Sequence, residues 1–406
     1  MKLKYIFTIL ILLCSLFLLT GCYDSIDVET LAYAVAIGID KIDTDSIRLT
    51  VQIASPSSSS SNSSSSQSSS SSILNVKCST IDEGISLINS YTSKILNLSH
   101  CKAVVISEEL AYEGLSKYVY GLINNVQIRP DCYVIISRCD AYYFLNNSAP
   151  TLESVSARYY ESILNSSEYT SYTDAVHLSQ FYSNTMDSTI QATAILGGVN
   201  TKQTQEAASN AETLDGGFKA NETPLQTSNN IENMGLAVFV NDSLVGELNN
   251  IETLSHMIVS NKLKKATINI PNPYDNKNNI SLYISFSKKT KKSVEIINDY
   301  PYISCDISIK GNVMNLDDTL DLTNREVVQK INESATAYLK YCVLSYLYKT
   351  AKDFHSDIDG FGSHLIYKYP STKEWENSDW LNNYENSFFD VNVDFNVLSA
   401  QLFDNY

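Results

Sequence analysis

The spacing of apolar positions changes from segment to segment, and each change marks an element. Leu31 to Ile39 is a continuous apolar run rich in β-formers. Ser46 to Ala54 alternates, with Ile47, Leu49, Val51 and Ile53 on one face. Polar, turn-like residues separate the two, so the pair reads as a β-hairpin. Ser57 to Ser72 is all serine apart from Asn62 and Gln67. Such a tract has nothing to bury and reads as a flexible loop. Strand-like Ile73 to Cys78 resumes beyond it, which makes the tract an insertion inside a domain. Thr80 to Leu96 has helical spacing through Ile81, Ile85, Ile88 and Ile95. Lys102 to Ser107 reads as a strand, with Ser107 as N-cap of a helix over Leu110 to Val126. A strand at Cys132 to Ile136, helices at Leu152 to Leu164 and Asp174 to Tyr182, and a strand at Ile190 to Leu196 complete an α+β or α/β unit.

Asn200 to Asn233 is polar and holds Gly216-Gly217, the pattern of a linker or long exposed loop. Strands are expected at Met234 to Val240 and Leu244 to Leu248, with a helix at Asn250 to Leu263. Ile280 to Ser287 and Val294 to Ile297 flank the basic run Lys288 to Lys292, which reads as a solvated hairpin tip that discourages edge pairing. Tyr302 to Val313 is a strand, and Leu322 to His355 a helix of about 30 residues, some 45 Å long. A turn-rich stretch, Asp353 to Pro370, precedes a helix at Glu374 to Tyr384 with Trp375 and Trp380, and a last strand at Phe388 to Val397. The organisation expected is a leader at 1–21, an N-terminal α+β domain at 22–199, the linker at 200–233, a middle domain at 234–300 and a C-terminal domain at 301–406.

The leader carries its own signature. Lys2 and Lys4 precede an apolar run from Tyr5 to Leu19, and Leu19-Thr20-Gly21-Cys22 closes it. That is a signal peptide with a lipobox, and about 15 apolar residues are too few to span a bilayer. Cys22 is therefore the expected lipidation site, with two acyl chains giving a stable anchor. Cleavage would leave 385 residues of the 406 and shift the formal charge from −16 to −18. An acidic chain of this kind is a poor nucleic-acid binder and has little general attraction to anionic lipid. Six cysteines remain, Cys78, Cys101, Cys132, Cys139, Cys305 and Cys342. Their density is below that of a disulfide scaffold, and apolar surroundings favour buried free thiols.

Catalytic signatures are missing: there is no Gly-x-Ser-x-Gly, no Walker loop, no His-Glu-x-x-His and no Cys-x-x-Cys. His100, His177, His256, His355 and His364 show no ligand spacing. Asp357-Ile358-Asp359-Gly360 imitates part of a calcium loop, but His355 and Ile366 would fall at the first and twelfth ligand positions. A helix end is the better reading, with Gly360 and Gly362 reversing the chain and both aspartates serving exposed backbone donors. No catalytic residue, metal or cofactor is expected.

Several blocks together resemble the Ger(x)C family, the lipoprotein C subunits of spore germinant receptors. They are Cys22-Tyr23-Asp24 with Leu31 to Asp40, Thr50 to Ala54 with Pro56, and Leu98 to Lys102 with Val104 to Ala111. Further on come Gly235 to Phe239 with Val245-Gly246 and Glu252, then Asp357 to Gly362 with Trp375 and Trp380. Tyr23 stands where a tryptophan is usual, and the serine tract and 200–233 are additions to the pattern. The resemblance implies a three-domain α+β fold with mixed or antiparallel sheets, flanking helices and a long C-terminal helix. It also implies a place on the outer face of the inner spore membrane beside two integral-membrane subunits, of A and B type, and no enzymatic activity. The competing reading is a lipid-anchored solute-binding protein, which usually shows two similar α/β lobes around a cleft.

Overall fold

The computed structural model describes residues 4–9, 15, 27–54, 71–148, 156–200, 217–225, 231–314 and 322–398. Cys22 and residues 55–70 lie outside them. The fold is α+β, with two mixed sheets and a long helix near the C-terminus.

The first sheet contains β1 (Leu31–Asp43), β2 (Ser46–Ala54), β3 (Ser71–Cys78), β4 (Ile95–Asn97), β5 (Ala103–Ser107), β6 (Tyr133–Ser137), β7 (Thr193–Val199), β8 (Ile231–Val240) and β9 (Ser243–Leu248). Its order is β3-β2-β1-β5-β6-β7-β8-β9, with β4 also on β1. β1, β5, β6 and β7 run parallel, and β5, β6 and β7 are buried at every position. Parallel strands covered by helices on both faces need apolar residues throughout, which is why these segments are runs rather than alternations.

The second sheet is β10 (Ala266–Asn272), β11 (Asp275–Ile297), β12 (Tyr300–Val313) and β13 (Phe388–Val397), in that order. β12 and β13 are parallel, a pairing that requires a crossover. The helix Arg325–Lys352 supplies it. Ile331, Ala335, Leu339, Val343, Tyr346 and Leu347 on one face of that helix are buried in the core of this half.

Several expected elements shift for local reasons. The helix at 80–96 ends at Tyr91, and Ile95 to Asn97 pairs with β1 instead, held by Asn89 Oδ1 accepting from Leu96 N at 2.7 Å. The helix at 110–126 is two helices, Glu108–Glu113 and Ser116–Asn124. Gly114 breaks it at φ +105°, and the second helix starts on donors to Asp242: Leu115 N to its carbonyl and Ser116 N to its carboxylate. Ser107 occupies the N-cap position without capping through its side chain. The helix expected from Asp174 begins at Leu178, because Val176 and His177 are spent on backbone contacts to β6.

Two readings change more deeply. Lys288 to Lys292 is no hairpin tip but the middle of β11, beside irregular register with β12. The reversal falls at Asn298-Asp299, both at positive φ, as a tight β-turn between twisted strands demands. Thr290 is buried there: its hydroxyl donates to Ile258 O, and Asn261 bonds its backbone on both sides. The stretch 200–233 is not wholly an exposed linker. Ala220 and Thr223 are buried, and Glu232 accepts from Asn200 Nδ2, Asn221 N and Thr223 Oγ1. β8 and β9, expected in a middle domain, complete the first sheet by pairing β8 with β7. The rest of 250–297 shares one core with the long helix. Sheet boundaries therefore differ from the expected domain boundaries.

Ser71 and Ser72 open β3, opposite Ala54 and Ile53. The serine tract thus joins adjacent antiparallel strands, as an insertion must. Shortening 55–70 from 16 residues to about four halves the loop twice, worth about 1 kcal/mol in the stabilising direction. A urea melt of the shortened protein checks this; a loss of several kcal/mol would show that the tract packs on the sheet.

Candidate functional site

A densely bonded polar site lies where the two sheets meet, and the end of the long helix builds it. After Asp353 caps that helix, His355 enters the left-handed region at φ +50° and Gly360 at φ +69°, turning the chain back. Asp357 is fully buried inside this turn. Its carboxylate accepts from Phe361 N at 3.1 Å, Gly362 N at 2.8 Å and Trp380 Nε1 at 2.8 Å. Burial pushes its pKa up to about 6; those three donors oppose the shift and neighbouring Asp359 adds to it.

Asp359 faces the other way, into the second half. It accepts from Tyr346 OH at 2.7 Å and lies 3.0 Å from His256 Nδ1, which is also 3.0 Å from Tyr346 OH. Lys292 Nζ donates to Asp359 O at 2.7 Å and sits 5.3 Å from the centre of the Phe361 ring. The aspartates were expected to serve exposed donors; both are buried, and only Asp357 caps the turn. The reason is tertiary, since indole and imidazole partners from distant elements close over them.

The same turn bolts the halves together. Gln191 N donates to Asp357 O at 2.8 Å, Ser356 Oγ to Phe239 O at 2.7 Å, and Trp375 Nε1 to Ser188 Oγ at 2.9 Å. Trp375, Trp380, Tyr384 and Phe361 fill the space between, with successive ring centres about 6 Å apart. A Cβ on Gly246 would come within 2.2 Å of the Phe354 ring, so only glycine lets β9 approach the helix end. Beside it Lys349 Nζ pairs with Glu252 at 2.8 and 2.9 Å, while Glu252 closes a capping box on Asn249.

An imidazole bonded to a carboxylate has the geometry of a general base. Here His256, Tyr346 and Asp359 are all sealed from solvent, and His256 Nε2 has no hydrogen-bond partner among the described residues. The nearby groups are poor nucleophiles. Burial raises the Tyr346 and Tyr384 hydroxyls well above the usual phenol range and the Cys305 thiol to about 12. Chemically the arrangement can hold protons in fixed places and resist separation of the two halves.

The other sequence candidates are not brought into this site. His355 is half exposed, with its Nδ1 3.3 Å from Glu385. Burial, then the Lys292 charge, lower the His364 pKa. Among the described residues no group of three or more His, Cys, Asp or Glu side chains could hold a metal. No disulfide joins the six described cysteines; five are buried and Cys139 partly so. His256 was missed because its partners lie 90 and 103 residues away. Its place in the largely apolar stretch Leu254 to Val259 is the one local sign.

Comparison with known proteins agrees with this architecture. Residues 24–199 match the spore germination protein N-terminal domain, and 234–400 match the spore germination B3/GerAC-like C-terminal domain. The chain is 24% identical over 395 residues to spore germination protein KC of Bacillus subtilis, covering 92% of this chain and 89% of that protein. It is 22% identical over 375 residues to the putative spore germination protein YfkR of the same organism, covering 89% and 88%. The crystal structure of the GerBC protein superposes with a TM-score of 0.52 at 14% identity, covering 92% of this chain and all of that one.

Proposed function

The chain belongs to the Ger(x)C family of spore germination proteins, and from that premise we propose that it is the non-enzymatic lipoprotein subunit of a nutrient germinant receptor. A role in spore germination follows from the family. The receptor assembly, with A- and B-type integral-membrane subunits at the inner spore membrane, is our reading. So is the lipid on Cys22.

The observation that carries it is the junction. The later blocks that resemble the family converge there: Gly246, Glu252, Asp357 to Gly362, Trp375 and Trp380 all serve contacts between or beside the two halves. A subunit that transmits a signal mechanically needs such a rigid joint, whereas an enzyme needs an accessible reactive group. A solute-binding protein needs an open cleft between lobes, and here the described junction is filled by aromatic rings. Among the described residues no helix is long and apolar enough to cross a membrane; lipid on Cys22, read from the leader's Leu-Thr-Gly-Cys, is the proposed attachment.

A strain lacking the gene should make normal spores that respond poorly to the nutrient its receptor serves, while stimuli that bypass nutrient receptors still work. Complementation with Cys22→Ala should rescue weakly, and that protein should carry no palmitate label. Equal label in both forms would end the lipid assignment. Normal nutrient germination in the null strain would end the receptor assignment.

A further inference from the structure

This inference rests on the reading that Cys22 carries the lipid. β1 runs parallel to β4 and β5, and β5 to β6, so all four begin toward the same end of the first sheet. The described chain enters at that end: Asp27 lies five residues past Cys22 and leads through a short 3₁₀ turn, Val28–Thr30, into β1. Five residues span at most about 18 Å by any path. The bilayer is therefore tethered within that reach of Asp27, which the 3₁₀ turn joins to the start of β1.

This end presents apolar side chains to solvent from separate connections. Val28 is 66% exposed, Tyr91 82%, Ile95 50% and Val126 100%. Ile95 is the register partner of Leu31, and Tyr91 ends the helix that leads into β4. Gln127, next to Val126, accepts from Leu98 N at 3.1 Å, which holds that loop against the residues following β4. Single exposed apolar residues are ordinary on a soluble protein. Four of them on connections at the end from which the chain leads back to Cys22 are a different matter. Asp27, Glu29 and Lys94 are exposed among them, so local charge is mixed. An acidic chain has no general pull toward anionic lipid, and apolar contact must carry the binding. Aromatic and aliphatic side chains at the headgroup level do this.

We propose that this end of the first sheet seats on the lipid bilayer, with Val28, Tyr91, Ile95 and Val126 entering the interfacial layer. Another exposed apolar group, Ile297, Tyr300, Tyr302 and Phe388, lies on the second sheet, with no comparable tie to the anchor.

The native tryptophans, Trp375 and Trp380, are both buried, so an introduced indole can be read against a quiet background. Full-length protein, with acylation of Cys22 checked by mass spectrometry, is placed in phosphatidylethanolamine–phosphatidylglycerol vesicles containing brominated acyl chains. Tyr91→Trp and Val126→Trp should each add emission that bromine quenches about twofold. Ile42→Trp, about 36 Å further along β1 than Leu31, should add emission that bromine leaves unchanged. Acylated protein with no quenching at 91 and 126 overturns the proposal, as does quenching at Ile42→Trp or Tyr300→Trp in their place. Protection from an aqueous quencher that appears only when membrane subunits are added assigns the surface to protein and overturns it equally. An unacylated Cys22 overturns the anchor and the docking together.

Discussion

Trp380→Ala is expected to destabilise the folded chain by about 4 kcal/mol, near the top of the range for removing a buried aromatic side chain. The indole is 5% exposed and packs between Trp375 and Tyr384, with ring centres 5.9 Å from each. It sits so close to the turn that a Cβ on Gly362 would lie 2.8 Å from its Nε1. The void left by alanine is therefore walled by rings and backbone that are themselves pinned, and it cannot collapse cheaply. The change also takes from buried Asp357 one of its three donors. A charge-bearing acceptor losing a partner in a dry site costs more than an ordinary hydrogen bond. Trp380→Phe separates the two effects, because it keeps most of the packing and removes only the N–H. Chemical denaturation followed by far-ultraviolet circular dichroism measures both variants. A loss below about 1 kcal/mol for the alanine form would show that the indole does not hold the junction.

Asp357 makes the second large effect, and its sign follows from proton binding. In the folded chain its carboxyl keeps a proton up to about pH 6. In the unfolded chain the same carboxyl releases it near its ordinary value of about 3.9. Between those values the folded state holds more protons than the unfolded, so this group's contribution to stability falls as pH rises through the window. Roughly two units at about 1.4 kcal/mol each give about 3 kcal/mol, lost in full above pH 6. Other carboxyls contribute opposite slopes; Asp131, held low by Arg129, is one. The measurement is therefore the difference between the protein and Asp357→Asn. The gap between their unfolding free energies should shift by about 2 kcal/mol in favour of the variant from pH 4 to pH 7. Parallel curves across that range would mean that Asp357 ionises as an ordinary surface aspartate. Trp380→Phe should extend the window upward, since removing a donor favours the protonated acid further.

What the sequence determined by itself is what local chemistry can write. The apolar run at Leu31 to Ile39 and the alternation at Ser46 to Ala54 specify a hairpin, because side-chain period and burial on one or both faces are properties of the segment. A long helix was legible over Leu322 to His355, where the structure has Arg325–Lys352, and the ordered blocks along the chain were enough to place it in its family. Helix ends were less legible, because the chain stops helices at Tyr91 and Gly114 to satisfy partners in other elements. The tertiary structure alone decided that β8 and β9 close the first sheet, since a strand's pattern says that it is half or fully buried but not against which neighbour. It alone turned the lysine run into mid-strand residues, because two left-handed residues at Asn298-Asp299 set the reversal and Thr290 found buried partners. It alone made the turn at Asp357 to Gly362 a joint. Sequence showed two aspartates and two glycines that could end a helix. Burying those carboxylates takes donors from His256, Tyr346 and Trp380, which the chain brings from other elements, and no local pattern encodes a meeting of that kind.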